Sequence, residues 1–167
     1  TNTLDIERLV DQLPSTINEV IHNAGILRRD SIETANDQDI LDQFIVNALG
    51  PFNTLRALKR LFSAGTRVGI VTSRMGSIGD CSSYGMLGYR ISKTAVNMIG
   101  KNLANAWQED GITVLLLHPG YVRTDMTNGN GFINPDESAQ GLYLRMREHG
   151  LSETGSFWHT NGEALEW

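Results

Sequence analysis

The run Ile112-Thr-Val-Leu-Leu-Leu-His118 constrains the fold of this chain more than any other stretch. It is apolar at nearly every position and is stopped by Pro119-Gly120, the pattern of a parallel strand covered by helices on both faces rather than of a strand with one wet face. The segments before it agree. Glu19-Val-Ile-His-Asn-Ala-Gly25 reads as a strand ending in a small-residue turn, and Arg67-Val-Gly-Ile-Val-Thr-Ser73 as a strand followed by a Gly/Ser-rich loop to Gly88. Between them, Asp39 to Phe62 reads as one long helix with Leu41, Phe44, Ile45, Leu49 and Leu55 at helical spacing. A second long helix runs from about Tyr89 to Trp107 and closes at Asp110-Gly111. Strand, helix, strand, helix, strand specifies an α/β domain with a parallel sheet. At the start, the short apolar run Thr3-Leu-Asp-Ile6 leads into a helical segment through Leu9 and Leu13. The tail adds a polar loop from Thr127 to Asn134, a helix from about Asp136 to His149, the segment Ser156-Phe-Trp-His159 and a turn at Asn161-Gly162.

Composition narrows the function classes. The 167 residues make a single domain, 1–167, of ordinary globular content, 40% hydrophobic and 20% charged. A net charge of -5 and a pI near 5.3 argue against nucleic acid or an anionic membrane surface as partner, since either needs a concentrated basic footprint. The one cysteine, Cys81, permits no internal disulfide and fits a reducing compartment. The longest uninterrupted apolar run, Val114 to Leu117, is far short of a membrane span, and no signal-like start precedes the fold, so the expected location is cytoplasmic. His22, His118, His149 and His159 lack ligand spacing, so no metal site is expected.

The chemistry concentrates in Tyr89-Arg-Ile-Ser-Lys93. A helix places residues four apart on one face, so a phenol and an amine stand side by side. A phenol normally titrates near pH 10, and a neighbouring ammonium is expected to pull that value down, making Tyr89 a usable proton donor to a carbonyl oxygen. Other motifs sit at strand C-termini, where a doubly wound sheet binds its ligand. Asn23-Ala-Gly25 follows one strand, Ser73 the next, and Pro119-Gly-Tyr-Val-Arg-Thr-Asp-Met126 the one after.

This ordered set resembles the short-chain dehydrogenase/reductase family, which uses N-A-G, an Asn in the preceding long helix, a Ser, Y-x-x-x-K and P-G-x-V-x-T. The resemblance covers nearly the whole chain. It implies an NAD(P)-dependent oxidoreductase that reduces a carbonyl or oxidises an alcohol, with NAD or NADP left undecided. It makes Tyr89 the acid, Lys93 the group that tunes it and holds the nicotinamide ribose, Ser73 the hydrogen-bond partner of the substrate carbonyl, and Asn47 the fourth member. Ser77 rivals Ser73, which stands sixteen residues before Tyr89, a wide interval for the family; Ser73 fits better because it ends a strand and opens the S-x-x-G match. Tyr84 is a decoy, with Gly88 where the lysine would be. Asn47 also has a backbone argument: Pro51 lacks the N–H that would bond its carbonyl, so the helix must loosen there. Asn23, Ala24 and Gly25 would line the cofactor, with Pro119, Gly120, Val122 and Thr124 beside it. Asp5 resembles the family aspartate that meets the adenine, although a surface aspartate beginning a helix accounts for it equally well.

The family's glycine-rich turn, T-G-x-x-x-G-x-G, is absent from the sequence. The expectation is therefore a partial doubly wound, Rossmann-type sheet lacking its first two strand-helix units, with an unpaired edge at Val20, inactive when made alone. When complete it is expected to form a homodimer or homotetramer through its two long helices, with Leu58, Val96 and Met98 as candidate interface positions, although burial in their own subunit accounts for them equally well. The Tyr-Arg-Ile-Ser-Lys pentad, the Met-Gly-Ser-Ile segment and the tail of Phe-Trp-His followed by Gly162 and Trp167 look most like the C-factor-like branch of bacterial intercellular signalling proteins and their reductase relatives. That likeness carries two other expectations: a signalling or interaction protein on a reductase fold, and an inactive remnant.

Overall fold

A computed structural model describes residues 2–167. Four strands, β1 (Glu19–His22), β2 (Arg67–Val71), β3 (Thr113–His118) and β4 (Phe157–His159), form one parallel sheet in the order β1-β2-β3-β4. Each crossover is helical: α2 (Asp37–Phe44) and α3 (Gly50–Leu58) between β1 and β2, α4 (Leu87–Trp107) between β2 and β3, and α5 (Pro135–Glu148) between β3 and β4. A first helix, α1 (Thr3–Gln12), packs on α3.

Burial explains the apolar run. Val114, Leu115, Leu116 and Leu117 are all fully buried, because successive side chains enter opposite layers. Val114 joins Val68, Ile70, Val96, Leu103 and Trp107 beneath α3 and α4, while Leu115 and Leu117 join Val71, Leu142 and Met146 beneath α5. The sheet is therefore covered on both faces, as the doubly wound reading requires. Among the described residues β1 pairs only with β2, and Ile21 is left 44% exposed on this edge.

Three readings change. The long helix at Asp39–Phe62 is interrupted by a π-helical turn at Ile45–Leu49, where the Gly50 N–H bonds the Ile45 carbonyl five residues back; Pro51, with no N–H to give, lies just beyond it. The interruption rotates the buried face, so Gln43, Asn47, Ala48 and Leu55 point inward while Leu41 and Ile45 face out. Leu58 and Val96 are buried in the chain's own core and offer nothing to an interface, whereas Met98 is 65% exposed. The run at Thr3–Ile6 is already helix, with Asn2 as its N-cap.

Candidate active site

Because the strands are parallel, the segments leaving β1, β2 and β3 emerge at one end of the sheet. The α4 helix crosses behind them and delivers Tyr89 and Lys93 to that end. Lys93 is buried, and its Nζ donates to the Val71 carbonyl, 3.1 Å away, at the end of β2. The same Nζ lies 5.7 Å from the centroid of the Tyr89 ring. Ser73, just past β2, lies beside the Tyr89 phenol, and its Oγ accepts the Met75 N–H at 3.2 Å. The structure thus brings the phenol of Tyr89, the amine of Lys93 and the hydroxyl of Ser73 together at this end of the sheet. Ser77 is instead occupied in the loop, its Oγ accepting the Asp80 N–H, and Tyr84 is 83% exposed.

Electrostatics departs from the sequence argument. Burial pushes the Lys93 ammonium down to about 8. Burial also raises the Tyr89 phenol above its ordinary value, with the neighbouring Ser73 hydroxyl pulling the other way. The expected downward pull of the ammonium does not dominate, since the half-buried phenol is partly withdrawn from water and Nζ is turned to a backbone carbonyl. At neutral pH the site holds a protonated phenol beside a mostly protonated amine. Around it, His118 is pushed down to about 3 by burial, with His159, Arg74 and Lys93 adding positive charge nearby. His22 is lowered too, by burial and then by Lys93.

Asn47 is buried, and its side chain is fully committed. Oδ1 accepts the Ile26 N–H at 2.8 Å, while Nδ2 donates to the Ile26 carbonyl and to Ser92 Oγ, both at 2.9 Å. Ser92 in turn donates to the Tyr89 carbonyl at 2.7 Å. One turn earlier, Gln43 accepts the Arg28 N–H at 2.9 Å, so alternate residues of the segment after β1 are held by amides spaced one helical turn apart. Ser92, Gln43 and Asp30 escaped the sequence reading. Ser92 lay inside the pentad without a role, and nothing local in sequence marks the other two.

The candidate cofactor residues divide. A Cβ built on Gly25 would stand 3.3 Å from Asn47 Oδ1 and 3.6 Å from Lys93 Nζ, so glycine keeps the space beside the amine open. Asn23 and Ala24 are exposed next to it. Pro119 and Gly120 follow β3, Gly120 with φ 83, and Val122 bridges to Ile133. Thr124 is exposed at the start of a single helical turn, its N–H held by Thr127 Oγ1 at 3.0 Å. Asp5 stands apart on the exposed first turn of α1, paired with Arg8 at 3.6 Å, the surface arrangement that was the alternative for it. Among the described residues no cluster of three His, Cys, Asp or Glu side chains could hold a metal, and no helix is long and apolar enough to cross a membrane.

These surroundings fit the nicotinamide-ribose end of a dinucleotide: a buried cation, an open glycine cradle and small exposed residues at strand C-termini. They offer no glycine-rich phosphate turn.

Comparison with known proteins gives the following. The family profile described as short chain dehydrogenase matches residues 3–131. The chain is 41% identical over 155 residues to the 1-hydroxy-2-glutathionyl-2-methyl-3-butene dehydrogenase of Rhodococcus sp. (strain AD45), covering 90% of this chain and 69% of that protein. It is 30% identical over 154 residues to the C-signal protein of Myxococcus xanthus, covering 90% of this chain and 93% of that protein. The structure superposes on an NADPH-bound carbonyl reductase from chicken fatty liver with a TM-score of 0.91 and 26% identity, over 99% of this chain and 74% of that one.

Proposed function

Since the chain belongs to the short-chain dehydrogenase family, we propose that it is the catalytic part of an NAD(P)-dependent oxidoreductase that reduces a small-molecule carbonyl or oxidises the matching alcohol. The observation that carries this reading is the convergence of Ser73, Tyr89 and Lys93 at the carboxyl ends of β1, β2 and β3. A reduced nicotinamide, when bound, supplies a hydride to the carbonyl carbon. The chain's own groups handle the oxygen. Ser73 hydrogen-bonds it, a contact that strengthens as negative charge builds. Tyr89 gives it the phenolic proton, and the ammonium of Lys93 offsets the charge left on the phenolate. Lys93 also faces the cradle at Gly25, where it would hold the ribose, and Asn47 and Ser92 hold the backbone that carries Tyr89. The sequence chooses neither NAD nor NADP. The carbonyl reductase it superposes on is described with NADPH, and the Rhodococcus relative by its name dehydrogenates a glutathione-bearing alcohol; both are leads for a substrate and cofactor panel.

A second reading is a signalling or interaction protein on the same fold. It is favoured by the likeness to C-signal, which spans nearly all of both chains. The two readings separate on carbonyl-dependent oxidation of NADPH or NADH across a panel of aldehydes and ketones. Turnover supports the reductase; its absence in a preparation that binds cofactor leaves the signalling reading standing. Self-association, if it uses the long helices, centres on exposed Leu41, Ile45, Ile91 and Met98, and sedimentation of Met98→Glu against the parent checks it.

A further inference from the structure

The α4 helix carries Tyr89 and Lys93 but has no cap of its own. The residue at its N-cap, Met86, sits in the left-handed conformation at φ 53 and contributes no side-chain hydrogen bond. The missing partner comes from the segment that leaves β1. Asp30 Oδ2 accepts the Gly88 N–H at 3.1 Å, and the Asp30 backbone carbonyl accepts the Met86 N–H at 2.8 Å. One residue fifty-eight positions upstream thus satisfies two donors in the turn that precedes Tyr89. Its carboxylate also stands where the dipole of a 21-residue helix favours negative charge. Gly88 is required for this approach: a Cβ there would stand 2.6 Å from Gln43 Nε2 and 3.2 Å from Asp30 Oδ2. The same segment begins at the cradle of Asn23–Gly25 and is fastened at Ile26 by Asn47 and at Arg28 by Gln43.

We propose that Asp30 is a positioning residue for the acid/base site, capping α4 from across the molecule and tying the turn that carries Tyr89 to the segment lining the cofactor cradle. The inference rests on the reading of Tyr89 as the acid, but its test requires neither cofactor nor turnover, so a failed activity assay and a failed cap are told apart. Asp30 touches no reacting atom. It acts by holding the first turn of α4 wound, which keeps the Tyr89 phenol half-buried beside Ser73 and close to Lys93.

The chain is prepared with ring-labelled tyrosine, giving four signals of which Tyr89→Phe identifies one. Tyr89 ionisation and amide exchange are then followed in the parent, Asp30→Ala and Asp30→Asn. In Asp30→Ala, exchange at Gly88, Tyr89 and Arg90 is expected to rise at least tenfold relative to β3. The Tyr89 midpoint is expected to fall back toward that of an ordinary phenol. Asp30→Asn keeps an acceptor oxygen and is expected to lie between the two. A Tyr89 midpoint unchanged in folded Asp30→Ala overturns the proposal, as does exchange that rises equally in β3 and α4. If Asp30→Ala does not fold, Asp30→Asn decides: a parent-like Tyr89 midpoint and parent-like exchange at Gly88 overturn it.

Discussion

At the scale of single residues, Lys93 gives the sharpest consequence. Unfolded, a lysine holds its proton to about pH 10.5; folded, Lys93 releases it at about 8. Between those values the unfolded chain binds more protons, so stability must rise with pH across that window, by up to about 1.4 kcal/mol per unit, and is lost as pH falls through 8. Tyr89, raised by burial, works the other way, but only above pH 10. Urea midpoints at pH 7 to 9.5 are expected to climb in the parent and to stay flatter in Lys93→Met; equal slopes would show that the amine is not desolvated. The nearness of Tyr89, Lys93 and Ser73 was open to sequence reading because each belongs to a local pattern: a helical i, i+4 pair and a strand end. The direction of the Tyr89 shift was not, because it is decided by how much water the rest of the fold excludes from the phenol.

At the scale of elements, the site is a joint between the segment leaving β1, the π-helical turn and α4. Pro51 announced the loosened helix, but which side chains would then turn inward depended on the rotation the extra residue introduces. Sequence periodicity marked Leu41 and Ile45 only as apolar positions at helical spacing, and it is Gln43 and Asn47 that stand inside. The contacts of Asp30 and Gln43 were hidden for the same reason: they join segments distant in sequence and leave no mark in either. Asn47→Ala removes both partners of Ile26 and one of Ser92. It is expected to cost about 1–3 kcal/mol and to free the exposed Arg28-Arg29 pair for trypsin. An unchanged denaturation midpoint and digestion pattern would mean that the amide is not what holds this segment.

At the scale of the whole molecule, the alternation of apolar strands and helices was enough to give the parallel sheet; its order β1-β2-β3-β4 arises because each crossover returns the chain to a neighbouring strand. What the molecule can hold is set by its two ends. One end gathers the candidate active site; at one edge, among the described residues, β1 pairs only with β2 and leaves Ile21 exposed. With no glycine-rich phosphate turn in its sequence, these 167 residues alone are expected to show no saturable NADPH or NADH binding by cofactor fluorescence and to associate through that edge. Micromolar binding to a monodisperse sample would contradict this. The central claim, that Tyr89 is the acid of a carbonyl-reducing site, is tested most directly by carbonyl-dependent NAD(P)H oxidation in a protein that joins these residues to two upstream strand-helix units. The account predicts that Tyr89→Phe abolishes nearly all turnover while cofactor affinity is retained. Turnover surviving in Tyr89→Phe at the parent rate would contradict it.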